Sequence, residues 1–250
     1  MRSLRRSPEE IRLPKGFSFG AVAAGIKASG RPDLALAEVS EAFSTVSSKR
    51  TSAVVRGASA AALFTTNRVV AAPVEVGRAG LLASGGRVRA ILVNSGNANC
   101  ATGRAGIRAC EGVCSEAAKL LGARPDEIFP SSTGIIGVPL PAERIHAKLV
   151  ELAGARVASE SGVQAFANAI MTTDTRAKIA SARFRAFSKE VTVLGIAKGA
   201  GDFLWSSLDC SRIGDAPMRR HRLPRPVRAL LFSGVVAHGK NEVELRRFRT

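Results

Sequence analysis

The sequence predicts an α/β fold, and three observations predict it. Apolar runs fit for strands are interleaved with stretches whose apolar residues recur at helical spacing. Polar loops of small residues fall at the ends of those elements, where α/β proteins collect binding groups. The 46 % apolar content in 250 residues gives a real core without disulfides or metal, since a chain of this size buries roughly 70–75 % of its unfolded surface. With no Tyr and one Trp, that core is mostly Ala, Val, Leu and Ile.

The elements follow in order. Phe17–Ile26 and Leu34–Val39 read as strands, with Ser29-Gly30-Arg31-Pro32-Asp33 turning between them. Residues 44–57 are polar and mixed, and the apolar run Ala58–Phe64 ends at Thr65-Thr66-Asn67-Arg68. Val88–Val93 is a short apolar run suited to a buried strand, leading into a loop over Asn94-Ser95-Gly96-Asn97-Ala98-Asn99. Ile107, Cys110, Cys114, Ala117 and Leu121 repeat at helical spacing until Gly122. Asp126–Phe129 then runs into Pro130-Ser131-Ser132-Thr133-Gly134-Ile135-Ile136-Gly137, and Pro141 opens a helix to about Leu152. Val163, Phe166 and Ile170 mark another helix, ending at Met171-Thr172-Thr173-Asp174-Thr175. Ala182, Phe184 and Ala186, then Val191 and Val193, alternate as a hairpin that delivers Lys198-Gly199-Ala200-Gly201. From Asp202 the periodicity fades and Arg and Pro accumulate; only Val227–Ala237 is suited to an ordered element.

The formal charge of +17 invites a nucleic-acid reading. The basic residues are mostly scattered singly, however, and no Lys/Arg stripe alternates with aromatics. Specific nucleic-acid binding is therefore not expected. The start, Met1 to Phe17, lacks the apolar segment of a signal peptide, and no run approaches the ~20 apolar residues of a membrane helix. A cytoplasmic protein without membrane contact is expected. Cys100, Cys110, Cys114 and Cys210 show no CxxC spacing, so neither a metal nor a cofactor is expected.

The chemistry lies in the loops. Thr133-Gly134 sets a hydroxyl beside a flexible backbone N–H, and such a pair can aim donors at a developing oxyanion. Thr172, Thr173 and Thr175 flank Asp174, and Lys198 can neutralise a carboxylate. Taken alone, these residues serve equally well as caps, a turn and a solvated lysine.

Six strings, in order, resemble the ornithine acetyltransferase (bifunctional glutamate N-acetyltransferase) family. They are Ala23-Ala24-Gly25-Ile26-Lys27 with Gly30–Leu36; Phe64–Arg68 with Ala71–Val74; Val93–Asn99 with Thr102-Gly103; Ser132–Gly137; Ala169–Thr175; and Gly195–Gly201. They fall within residues 16–201. The resemblance implies a layered α/β sandwich resembling, but distinct from, the N-terminal-nucleophile hydrolases. It implies a protein that cuts itself before a threonine into α and β chains, the new terminal threonine acting as nucleophile. The reaction implied takes acetyl from N-acetylornithine and passes it to glutamate, and some members also use acetyl-CoA as a substrate. Thr133 and Gly134 would form the oxyanion hole; Thr173 or Thr175, with Lys198, would contact substrate.

The chain departs from the family after Gly201. Asp202–Cys210 replaces the expected alanine-threonine cleavage site, and no threonine occurs between Thr192 and Thr250. Residues 1–201 are thus expected to form an α-chain-like domain, with 202–250 an atypical basic tail, out of frame or disordered. Without the threonine and the β chain, the chain is expected to be inactive. The alternatives are a non-catalytic remnant pairing with a separate β chain or paralogue and, on charge alone, a basic nucleic-acid binder.

Overall fold

Residue alternation sets the central sheet. The computed structural model describes residues 11–39, 57–65, 67–186, 189–199 and 229–234. Strands β1 (Phe17–Val22) and β2 (Leu34–Val39) pair antiparallel, and β2 pairs antiparallel with β5 (Ala90–Asn97). In turn β5 pairs parallel with β6 (Ile128–Ile135), giving the order β1-β2-β5-β6. All six residues of β2 are buried, as a strand covered on both faces requires. Leu34 and Leu36 join a core with Leu92, while Ala35, Ala37 and Val39 join another with Phe17 and Phe19.

Helices α2 (Gly103–Leu120) and α3 (Ala142–Gly154) cover the first face. Cys110, Val113, Cys114, Ala117 and Ala118 of α2, with Ile145, Leu149 and Leu152 of α3, fill that core. Gly122, at φ 58°, ends α2, and the Ala123 N–H donates back to the Ala118 carbonyl at 2.9 Å. Cys110 and Cys114 pack as small apolar groups; their mutual hydrogen bond and burial push the Cys110 thiol up.

Helix α4 (Glu160–Ala169) covers the second face, with Ser159 capping it by accepting the Gly162 N–H. Phe166 meets Phe19 edge-on with ring centroids 5.9 Å apart, a geometry worth about 0.5–1.5 kcal/mol beyond the area the rings bury. Beyond α4 lies a second sheet. It is formed by β7 (Lys178–Ala186), β8 (Lys189–Lys198) and β9 (Ala229–Gly234), with β7–β8 antiparallel and β8–β9 parallel. Leu194 and Ile196 of β8 close the second core against Val163, Phe166 and Ile170. The layers therefore run helices, sheet, helix, sheet. A small ribbon pairs β3 (Ala58–Ser59) with β4 (Arg87–Val88). No helix among the described residues is long and apolar enough to cross a membrane.

Four expectations need correction. The first strand stops at Val22, not Ile26, because the Asp33 carboxylate gathers the N–H groups of Ala24, Ile26 and Lys27 into a loop. The run Ala58–Phe64 contributes only the two residues of β3. The strand expected over Val88–Val93 begins at Ala90 and continues through Asn97, so Asn94–Asn97 is paired backbone and the loop is left to Ala98 and Asn99. A helix absent from the expectation, α1 (Ala72–Ala83), lies over β6. Its Gly77 and Gly80 allow that approach: a Cβ there would sit 3.3 Å from the Phe129 ring and 3.2 Å from the Asp126 carbonyl. The expected tail 202–250 lies outside the described residues except for β9, which forms within the run Val227–Ala237.

Buried charge ties the β2 end of the sheet to the loop after α3. Glu38 receives Arg89 at 2.8 Å through one oxygen and Arg156 through the other. Arg89 also donates to the Val39 carbonyl.

Candidate active site

The tip of the β5–β6 pair is a close approach of two glycines. Across this register Ser95 faces Thr133 and Gly96 faces Gly134. Gly134 has φ 137°, and a Cβ there would lie 2.3 Å from the Gly96 carbonyl carbon and 2.6 Å from the Asn97 nitrogen. Only glycine fits. Thr133 is buried while Gly134 is exposed. Both therefore belong to the end of a paired strand, not to the loop expected. The polar string is held by its own side chains. The Ser132 hydroxyl donates to Asn94 at 2.6 Å, the Asn94 amide to the Asn97 carbonyl at 2.8 Å, and the Asn97 amide to the carbonyls of Val138 and Pro139. The Asn97 side-chain oxygen accepts the Asn99 N–H at 2.7 Å, which keeps the chain turned into α2.

A second group gathers where α4 ends. The last carbonyl of that helix, Ala169, accepts the Ser95 hydroxyl and the Lys27 ammonium, the latter at 2.8 Å. A cation at a helix C-terminus meets carbonyls that have no intrahelical partner. Lys27 is carried by the loop that Asp33 folds, with its carboxylate accepting three backbone N–H groups at 2.6–2.8 Å. The lysine stem lies on Gly96, where a Cβ would meet its Cγ at 3.1 Å.

Past Ala169 the chain reaches Asp174, whose side chain is 1 % exposed. It accepts Lys178 at 2.7 Å, the Gly199 N–H at 2.7 Å and the Thr172 N–H at 3.4 Å. Burial opposes the charged form of Asp174, yet the bonds from Lys178, Gly199 and Thr172 outweigh it and hold the carboxyl below the usual range. The Lys198 ammonium stands 3.9 Å from the other Asp174 oxygen, its side chain 11 % exposed. Burial lowers its pKa; Asp174 offsets part of that and Lys178 adds to it. Thr173 and Thr175 point into solvent on either side of Asp174.

The candidates therefore form two clusters. Thr133 and Gly134 sit with Ser95 and Gly96; Thr173, Thr175 and Lys198 surround Asp174. Lys27 joins them, with its stem on Gly96 and its ammonium at the end of α4. Lys27 and Asp33 were not singled out by residue type. A cue to Asp33 was an acid at the edge of an otherwise apolar strand.

Known proteins align over the same region. The ArgJ family profile matches residues 18–203. The arginine biosynthesis bifunctional protein ArgJ of Thermus thermophilus is 44 % identical over 193 residues, covering 76 % of this chain and 44 % of that protein. Its Gloeobacter violaceus counterpart is 46 % identical over 191 residues, covering 76 % and 43 %. The crystal structure of ArgJ from Bacillus halodurans aligns with a TM-score of 0.65 at 33 % identity, over 76 % of this chain and 90 % of that chain. Ornithine acetyltransferase from Mycobacterium tuberculosis, complexed with ornithine, aligns with a TM-score of 0.63 at 34 % identity, over 76 % and 92 %. The chain spans less than half the length of these curated relatives, yet all six strings fall within the matched region, and it belongs to the ArgJ family.

Proposed function

We propose that this chain carries the amino-terminal share of an acetyltransferase site of arginine biosynthesis, one that moves acetyl from N-acetylornithine to glutamate. In this reading Thr133 and Gly134 supply donors to the tetrahedral oxyanion, a contribution of roughly 2.7–4 kcal/mol per donor. Lys198, with Thr173 or Thr175, holds the amino-acid substrate. The observation that carries the reading is Lys198 itself. It is a nearly buried ammonium with no hydrogen bond among the described residues, beside a carboxylate that already accepts Lys178 and the Gly199 N–H through its other oxygen. A desolvated cation left in that state suits an anionic ligand. The ornithine bound to the Mycobacterium tuberculosis relative supports an amino acid in that role.

Acyl transfer also needs a nucleophile. No threonine occurs between Thr192 and Thr250, and Ser206, Ser207 and Cys210 stand in a sequence unlike the family's cleavage site. We therefore divide the chain at Gly201, with 202–250 a basic tail, and expect no turnover from the chain by itself. The two solved chains are matched over 90 % and 92 % of their length, the curated proteins over 44 % and 43 %. Relatives that divide into two chains, this one corresponding to the first, account for that disparity.

The test is an assay of the purified 250-residue chain with N-acetylornithine and glutamate. Binding of N-acetylornithine without formation of N-acetylglutamate is expected. Sustained turnover refutes the missing nucleophile, and absence of binding refutes the site. Replacing N-acetylornithine by acetyl-CoA tests the second acetyl donor. A second reading, a non-catalytic chain that pairs with a separate β chain or a paralogue, is favoured by Ile135, Ile136 and Val138. These lie exposed just beyond Gly134. Co-purification from the native cell with no such partner refutes it.

A further inference from the structure

We propose that Lys27 is a substrate-binding residue, and that Lys27 and Lys198 together hold the carboxylate of the amino-acid substrate. The inference rests on the reading of Lys198 given above.

The first argument is a balance of charge. Lys27, Arg31, Lys178 and Lys198 share this region with two carboxylates, Asp33 and Asp174. Both carboxylates are occupied. Asp33 accepts the N–H groups of Ala24, Ile26 and Lys27, and Asp174 accepts Lys178, Gly199 and Thr172. Two positive charges are left without an anion, in a region where Lys198 is almost excluded from water.

The second argument counts donors. An ammonium has three N–H bonds. Lys27 spends two, on the carbonyls of Ala169 at 2.8 Å and Pro32 at 3.1 Å, both neutral acceptors. One remains. Lys198 spends none on a hydrogen bond among the described residues. A carboxylate has two oxygens and takes charge-assisted bonds of about 2.7–2.9 Å from two separate cations.

The third argument is position. The Lys27 stem lies on Gly96, and Gly96 lies against Gly134. An anion held at its ammonium is thus anchored by a side chain that packs on the strand facing Gly134. Burial, then the charges of Lys198 and Arg31, lower the Lys27 pKa against the opposing pull of Asp33 and Asp174; an added anion relieves that repulsion.

The experiment titrates N-acetylornithine, and separately its decarboxylated counterpart N-acetylputrescine, onto the full 250-residue chain and its K27M, K27R and K198M variants. N-acetylornithine is expected to bind the parent at least tenfold more tightly than N-acetylputrescine. K27M is expected to weaken N-acetylornithine about tenfold and leave N-acetylputrescine unchanged, while K27R recovers most of the loss. Retained N-acetylputrescine binding also shows that the variant is folded. A second measurement needs no variant. Saturating N-acetylornithine, but not N-acetylputrescine, is expected to protect Lys27 and Lys198 of the parent chain from an amine-acylating reagent, read by mass spectrometry. If K198M loses N-acetylornithine while K27M binds it as the parent does, or if Lys198 alone is protected, the role of Lys27 is overturned and the reading of the site stands. If the parent binds both compounds equally, or neither, that reading falls and this inference with it.

Discussion

Replacing Asp33 by alanine tests how the loop bearing Lys27 is held. Asp33 is 1 % exposed and accepts Ala24 N–H at 2.6 Å through one oxygen, and Ile26 and Lys27 N–H at 2.6 and 2.8 Å through the other. Hydrogen bonds to a charged group contribute about 1.5–3 kcal/mol each, and donors left unsatisfied in a buried place carry their own desolvation cost. Only the Ala24 bond is fully buried, so the low end of that range suits the other two. D33A is then expected to cost about 5 kcal/mol, a large share of the roughly 5–15 kcal/mol that holds a domain folded. Asparagine keeps one oxygen, which can serve the Ile26 and Lys27 pair, so D33N is expected to lose about half as much. The assay is urea unfolding at pH 7 followed by circular dichroism, with the midpoint falling and the slope unchanged. A loss below about 1 kcal/mol in D33A would refute the claim that three backbone donors depend on this carboxylate.

Four further outcomes are expected. G134A forces a Cβ within 2.6 Å of Gly96 and Asn97 backbone; at φ 137° and with strands that must part, it is expected to lose about 2–4 kcal/mol of stability in the same unfolding assay. E38A removes the buried carboxylate that pairs with both Arg89 and Arg156, for an expected loss of about 3 kcal/mol, with E38Q also destabilised. The depressed folded pKa of Asp174 means its contribution is present above the unfolded value of 3.8 and is lost as pH falls through the folded one. In D174N the melting temperature is accordingly expected to start lower near neutrality and to fall less steeply below pH 4 than in the parent. Lys198 has the opposite sign. Its folded pKa lies below 10.5, so the fold is penalised while the group is charged and gains as pH rises between the two values. K198M is thus expected to melt no lower than the parent at pH 7, with the difference shrinking as pH rises toward 10.5, even as it loses substrate.

Where local pattern and tertiary contact agreed, the fold could be read directly. The periodicity of Ile107 to Leu121 marks α2, and the alternation around Ala182 and Val193 marks the β7–β8 hairpin, because each element buries the face its own sequence makes apolar. The sequence signal for strand β5 stops at Val93 because Asn94-Ser95-Gly96-Asn97 has little intrinsic strand preference. What extends it is the parallel partner β6 and the bond between Ser132 and Asn94, 38 positions apart. Helix α1 was hidden for another reason. It buries only Ala72, Pro73 and Gly77, so no apolar stripe announces it, and Gly77 and Gly80 argue against a helix. The proline at its start and Ser84-Gly85-Gly86 at its end were the available signals. At the candidate site, Thr133, Gly134, Thr173, Thr175 and Lys198 came from family resemblance. Lys27 lies in the first of the resembling strings, but its role does not follow from that, since its link to Ala169 crosses 142 positions of sequence.

The shared Ala169 carbonyl has a consequence for motion. Ser95 from the central sheet and Lys27 from the Asp33 loop both end on it, at the last turn of α4. The segment carrying Thr173 and Thr175 begins three residues later, so it cannot swing away from the β5–β6 tip while both bonds stand. Opening that breaks one bond leaves the other as a restraint, and the two parts open as a single cooperative unit. Amides at the end of α4, in the Asp33 loop and along the tip of β5 are then expected to exchange with solvent on one common time course.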